Sequence, residues 1–154
     1  STSATRRSKR GNKRETAVGS STLYGDTAGG FGVLKDVPKT LVYELSKYRN
    51  TISEVIPERI IARPPSAELA PDQQDSDSLP DYDTLDKIIE LYVEQDKSKL
   101  EIEEFGFEKV VLDRVIRLID LSEYKRRQAP LGVKITSRGF GKDRRYPITN
   151  KFLK

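Results

Sequence analysis

Apolar residues recur at helical spacing in three stretches of the chain and leave little room for strand. Leu41, Val42, Leu45 and Tyr48 share one face of a helix that opens at Pro38 and ends near Asn50. Proline's fixed φ suits a first helical position. Leu85, Ile88, Ile89 and Tyr92 predict a second helix over 84–95. The widest stripe is Val111, Leu112, Val115, Ile116, Leu118 and Ile119, which predicts a helix over about 108–127. It closes on Lys125-Arg126-Arg127, cations that complement the negative end of a helix dipole. Between the last two, Ser98-x-x-Glu101 is a capping box opening a short helix that Gly106 closes.

The intervening segments lack such a period. Residues 1–10 are polar, low in complexity and expected to be disordered. Residues 15–22 fit a short helix of small side chains, and six glycines fall within residues 11–35. Residues 57–83 carry five prolines and a run of aspartates, which predicts a long loop. Residues 131–154 form a basic tail in which Val133-Lys134-Ile135 fits a short edge strand. Three or four helices with so little strand look like one layer of a larger α/β body.

Composition narrows the chemistry. Of the 154 residues, 35% are apolar and 34% charged, a polar balance for one domain with a core. Without cysteine there is no disulfide, zinc-thiolate site or thiol nucleophile, and without histidine any proton transfer falls to carboxylates, lysine, tyrosine or the substrate. No apolar run nears the roughly 20 residues that cross a bilayer, and no apolar stretch follows the basic start as in a signal peptide. A soluble, cytoplasmic protein is the default expectation. Residues 1–14 hold six basic residues and no acid, and residues 125–154 hold ten against Asp143 alone. The ends are therefore positive around an acidic middle, which suits anionic ligands or two solvated tails.

Glu15, Asp26 and Lys39 place two carboxylates and a lysine beside glycine-rich backbone. Carboxylate oxygens suit Mg²⁺ and a lysine suits a terminal phosphate. On the residues alone, a solvated glycine-rich loop with ordinary surface charges competes with that reading.

Longer motifs are more specific. Gly11-Asn12-Lys13-x-Glu15, Ala17-Val18-Gly19, Thr22-Leu23-Tyr24-Gly25-Asp26, Gly29-Gly30-Phe31 and Lys35-Asp36-Val37-Pro38-Lys39-Thr40 occur in order. They are followed by Arg63-Pro64-Pro65-Ser66-Ala67-Glu68-Leu69, Asp77-Ser78-Leu79-Pro80-x-Tyr82-Asp83 and Glu123-Tyr124-Lys125-Arg126-Arg127-Gln128-Ala129-Pro130. Phe140-Gly141-x-Asp143-Arg144-Arg145-x-Pro147-Ile148-Thr149-Asn150 completes the set. Together they resemble the synthetase domain of glutamine-dependent NAD⁺ synthetases over 11–152, residues 11–130 being the C-terminal portion of that domain. The long tail resembles the glutamine-dependent members more than the shorter ammonia-dependent ones.

The resemblance implies a parent α/β fold of the adenine nucleotide alpha hydrolase type, with a Rossmann-like parallel sheet, of which this stretch is the mostly helical part. It implies adenylation of deamido-NAD⁺ by ATP, release of pyrophosphate, then attack by ammonia to give NAD⁺ and AMP. Position by position, Glu15 matches a carboxylate near Mg²⁺ and deamido-NAD⁺, and Asp26 and Lys125 match substrate-contacting positions. Lys39 and Ser66 match residues near the ATP phosphates. The acidic run from Asp72 to Asp83 matches a lid over ATP. No residue is assigned as catalytic. A homodimer or larger homo-oligomer is implied, with a glutaminase domain or another ammonia source as partner.

Departures accompany the match. The family's Ser-Gly-Gly-x-Asp-Ser pyrophosphate loop is not among the 154 residues, nor is the cysteine of its glutaminase half. Arg10 stands where the family has a threonine associated with ATP, and Arg14 where it has a small residue. A truncated or remodelled gene, or foreign residues at the start, is therefore expected, and the isolated polypeptide is expected not to make NAD⁺. The competing readings are a non-enzymatic anion- or nucleic-acid-binding module and a structural remnant that docks on an intact synthetase. Against nucleic acid, the aromatics are not interleaved with the basic runs as a stacking platform requires.

Overall fold

The computed structural model describes residues 8–9, 11–20, 30–62, 79–141 and 143–149. Its elements follow in order. They are β1 (Ser8–Lys9), α1 (Lys13–Val18), β2 (Phe31–Gly32), α2 (Lys39–Ile52), α3 (Glu58–Ala62), α4 (Tyr82–Ile89), α5 (Lys99–Glu103), α6 (Lys109–Leu121), α7 (Glu123–Arg127) and β3 (Leu131–Gly132). Helices dominate, and a small parallel sheet ordered β1-β2-β3 contributes no residue to the apolar core. Among the described residues no helix is long and apolar enough to cross a membrane.

The core forms where the predicted stripes meet. Leu85, Ile88 and Ile89 of α4 pack with Leu112, Val115 and Ile119 of α6, with Ala17 and Val18 of α1, and with Ile102 of α5. Each such side chain contributes about 1.5–3 kcal/mol on burial. On α2 the apolar face is only partly covered. Leu45 is 47% exposed and Tyr48 66%, and none of its residues is buried among the described ones. Leu41 and Val42, at the start of the stripe, are half-buried, and its later positions Leu45 and Tyr48 are left open among the described residues.

Local chemistry sets the helix ends. The Asn12 side chain accepts from the Glu15 backbone N–H, so α1 begins at Lys13, two residues ahead of the predicted start. It ends at Gly19 in the left-handed region (φ 66°), where a Cβ would meet the Ser122 side chain. α2 starts at Lys39 behind Pro38, and the capping box at Ser98 and Glu101 is present. The expected loop over 57–83 contains a short helix, α3, begun by a bond from the Ile60 N–H to the Pro57 carbonyl, while residues 63–78 lie outside those described.

The predicted helix over 84–95 starts at Tyr82, because Asp81 caps it, and changes at Glu90 into a wider π-helical turn through Glu94. The Gln95 N–H donates to the Glu90 carbonyl, and Asp96 stops the chain in the left-handed region (φ 57°). The long helix over 108–127 breaks at Ser122 into α6 and α7, and that serine lies against Gly19, the residue that ends α1.

The predicted edge strand at 133–135 is replaced by Leu131–Gly132, paired in parallel with Phe31–Gly32, which pairs with Ser8–Lys9. The register needs glycine at 132, where a Cβ would strike the Gly32 carbonyl at 2.4 Å. Ser8–Lys9 lies inside the stretch expected to be disordered, the rest of which is outside the described residues.

Candidate functional site

The first turn of α1 and the start of α2 are built side by side. The Lys13 backbone N–H donates to the Val37 carbonyl at 2.9 Å, two residues ahead of Lys39. At α1, Asn12 is buried and holds Glu15 twice: its Oδ1 accepts the Glu15 N–H, and its Nδ2 donates to Glu15 Oε1 at 2.7 Å. The half-exposed carboxylate is thus oriented before any ligand arrives.

At α2, the Lys39 ammonium lies 5.4 Å from the Tyr43 ring centre and 5.7 Å from that of Tyr82. Tyr43 and Tyr82 stack at 5.9 Å. The Arg14 guanidinium, next to Glu15 in sequence, sits over the other partner of this stack at 4.4 Å from the Tyr82 centre. Burial, then the neighbouring Tyr82, raise the Tyr43 phenol above its ordinary value, with Arg14 opposing them. Asp86 of α4 anchors the same end of α2 by accepting from Thr40 N–H and hydroxyl at 2.9 and 3.0 Å.

Lys125 stands at the other end of α1, its ammonium donating to the Gly19 carbonyl. Gly19 is four residues, or about one helical turn, beyond Glu15. The structure therefore brings Glu15, Lys39 and Lys125 onto connected segments around α1. Asp26 and Ser66 lie outside the described residues, as does Arg10.

An open cleft of about 360 Å³ runs beside the start of α2, lined by Lys13, Thr40, Asp83, Asp86, Glu90 and Glu94 among others. Glu15, Lys39 and Lys125 are not among the described residues that line it. Among the described residues there is also no cluster of three acidic side chains arranged to hold a metal ion.

The sequence reading missed the polar centre beneath the site. Lys13, 1% exposed, pairs with Asp36 at 3.1 Å and Glu94 at 2.8 Å, and donates to Thr136 Oγ1 and the Arg138 carbonyl. Asp36 accepts the backbone N–H groups of Ile135 and Thr136, both at 2.8 Å. The basic tail is thereby pinned to the segments carrying Glu15 and Lys39. One signal was available: Lys13 and Ala17, four apart, share the buried face of α1, and a lysine there requires carboxylates.

Burial alone would raise the Asp36 carboxyl. The Thr136 N–H and hydroxyl, the Ile135 N–H and the Lys13 charge outweigh it and hold the group below its ordinary value. A folded value below the unfolded one means the unfolded chain binds more protons in that range, so the contribution is complete above the unfolded value and lost as pH falls through the folded one. Asp36→Asn is expected to flatten the loss of stability between about pH 5 and about pH 3, measured by urea unfolding across that range. An unchanged acid slope would show that other carboxylates carry it.

A second set of buried charges locks α7. Arg126 donates to the Ala17 carbonyl of α1 at 2.8 Å and to the Ile119 carbonyl at the end of α6, pairs with Glu123, and lies over Phe140. The cations predicted to face a helix end do so through Arg126, but from a buried position that also orders α1.

Residues 9–129 match the family model described as NAD synthase. The glutamine-dependent NAD(+) synthetase of Acinetobacter baylyi is 63% identical over 142 residues, covering 91% of this chain and 26% of that protein. That of Aquifex aeolicus is 57% identical over 143 residues, covering 93% and 25%. The chain thus spans about a quarter of the length of these curated relatives. A crystal structure of a glutamine-dependent NAD(+) synthetase from Cytophaga hutchinsonii shares the fold, with a TM-score of 0.62 at 19% identity over 94% of this chain and 24% of the other. Matched along most of its length and over half identical to both synthetases, the chain belongs to the NAD synthase family.

Proposed function

We propose that the chain supplies the C-terminal part of a synthetase domain that adenylates deamido-NAD⁺ with ATP and amidates it with ammonia derived from glutamine, giving NAD⁺, AMP and pyrophosphate. Glu15, Asp26 and Lys125 face deamido-NAD⁺, and Lys39 and Ser66 face the ATP phosphates. The observation that carries this reading is the tie between α1 and α2, which sets an oriented carboxylate and a lysine on adjoining segments. Oriented donors and cations serve a reaction in which negative charge builds on departing pyrophosphate.

Mg²⁺ commonly takes only one or two protein carboxylates beside substrate phosphates, and Glu15, held through one oxygen by Asn12, fits that share. Bound there with ATP, the ion would neutralise phosphate charge. Assembly as a homo-oligomer, a glutaminase partner and a cytoplasmic location belong to the same reading.

The test is complementation. The purified chain is mixed with the part of the Acinetobacter baylyi synthetase that precedes the matched region, and NAD⁺ is measured with deamido-NAD⁺, ATP, Mg²⁺ and ammonium. NAD⁺ is expected from the mixture and not from either polypeptide alone. Turnover by the isolated chain would contradict the need for the missing pyrophosphate loop, and a silent mixture of two folded, associated parts would contradict the ligase role.

A further inference from the structure

Arg14 occupies the one unspecified position inside the first motif, and its surroundings are unusual. Its Nε is buried without a hydrogen-bond partner, and its guanidinium lies over Tyr82. Lys39 approaches the same ring and that of Tyr43. Neither cation has a carboxylate partner among the described residues. Aromatic faces attract a cation by about 0.5–2 kcal/mol, but they do not neutralise it. Two like charges are therefore held around one tyrosine stack, with no carboxylate paired to either among the described residues.

We propose that Arg14 and Lys39 together form a two-cation subsite for a short oligophosphate. The two charges lie 4.4 Å and 5.7 Å from the Tyr82 ring centre. Arginine offers a flat fork of N–H donors to two phosphate oxygens, and lysine a compact point charge to a third. The subsite lies at the N-terminus of α2, a helix of 14 residues whose dipole favours an anion there. Asp86 already satisfies the Thr40 N–H at that end, so the side-chain cations carry most of the attraction. The inference rests on reading Lys39 as a phosphate-facing cation and adds Arg14 as a second.

The test is calorimetric titration of inorganic triphosphate into the 154-residue chain at low salt, without metal. Variants are Arg14→Ser, Arg14→Lys, Lys39→Ala and, as a control on the exposed part of α2, Lys47→Ala. Circular dichroism checks that each is folded. The chain is expected to bind triphosphate. Arg14→Ser and Lys39→Ala should each weaken binding by about tenfold or more, the loss of one charge-assisted contact. Arg14→Lys should recover part of the loss, and Lys47→Ala should match the parent. The inference is overturned if the parent chain does not bind, if Arg14→Ser binds as the parent does, or if Lys47→Ala weakens binding equally. Should Lys39→Ala alone weaken binding, only the role of Arg14 fails. If neither variant matters, the reading of Lys39 fails with it.

Discussion

Replacing Lys13 with alanine is expected to lower the unfolding free energy of the chain by about 3–5 kcal/mol, the cost of breaking a buried ion pair from one side. The side chains of Lys13, Asp36 and Glu94 are 1%, 7% and 14% exposed, so water from the neighbouring cleft makes up little of the lost pairing. Asp36 would keep its hydrogen bonds from Ile135 and Thr136, but its negative charge would lose its buried cation. Domains of this size are held by only about 5–15 kcal/mol, so the loss removes a large part of the total. Lys13→Met separates charge from volume. It fills the space and still leaves both carboxylates unpaired, so it should cost nearly as much as alanine. Urea unfolding followed by far-ultraviolet circular dichroism measures both. A methionine variant as stable as the parent would mean that Lys13 acts by packing.

The same residue shows where sequence reading reaches and where it stops. Features set within a few residues were legible: the start of α2 at Pro38, the capping box at Ser98 and Glu101, and the stripe from Leu112 to Ile119. The end of α6 was not: it falls at Ser122, which lies against Gly19, more than a hundred residues earlier. The Lys13 centre was hidden for the same reason. Its partners Asp36, Glu94 and Thr136 come from three distant segments that only the folded chain assembles. Of the candidate site, the identities of Glu15 and Lys39 were carried by motif resemblance. What joins the segments that carry them, the bond from Lys13 to Val37, and what lies beside Lys39, the Tyr43–Tyr82 stack, depend on contacts that spacing does not encode.

Lys39→Ala is the second change with a large expected effect. If this ammonium faces the ATP phosphates, its removal strips a preorganised charge from the developing pyrophosphate, and losses of that kind are about 100- to 1,000-fold in rate. The substitution leaves the core intact, since Lys39 is half-exposed and its neighbours Thr40 and Asp86 keep their bonds. A lost rate therefore reports on chemistry or nucleotide binding and not on folding. The decisive measurement is the rate of NAD⁺ formation by the completed synthetase, this chain joined by the complementing polypeptide, with Lys39 intact and with alanine in its place. A fall of about 100-fold or more at saturating deamido-NAD⁺ is predicted. Equal rates from the two would contradict the placement of Lys39 on the phosphates and, with it, the assignment of the site.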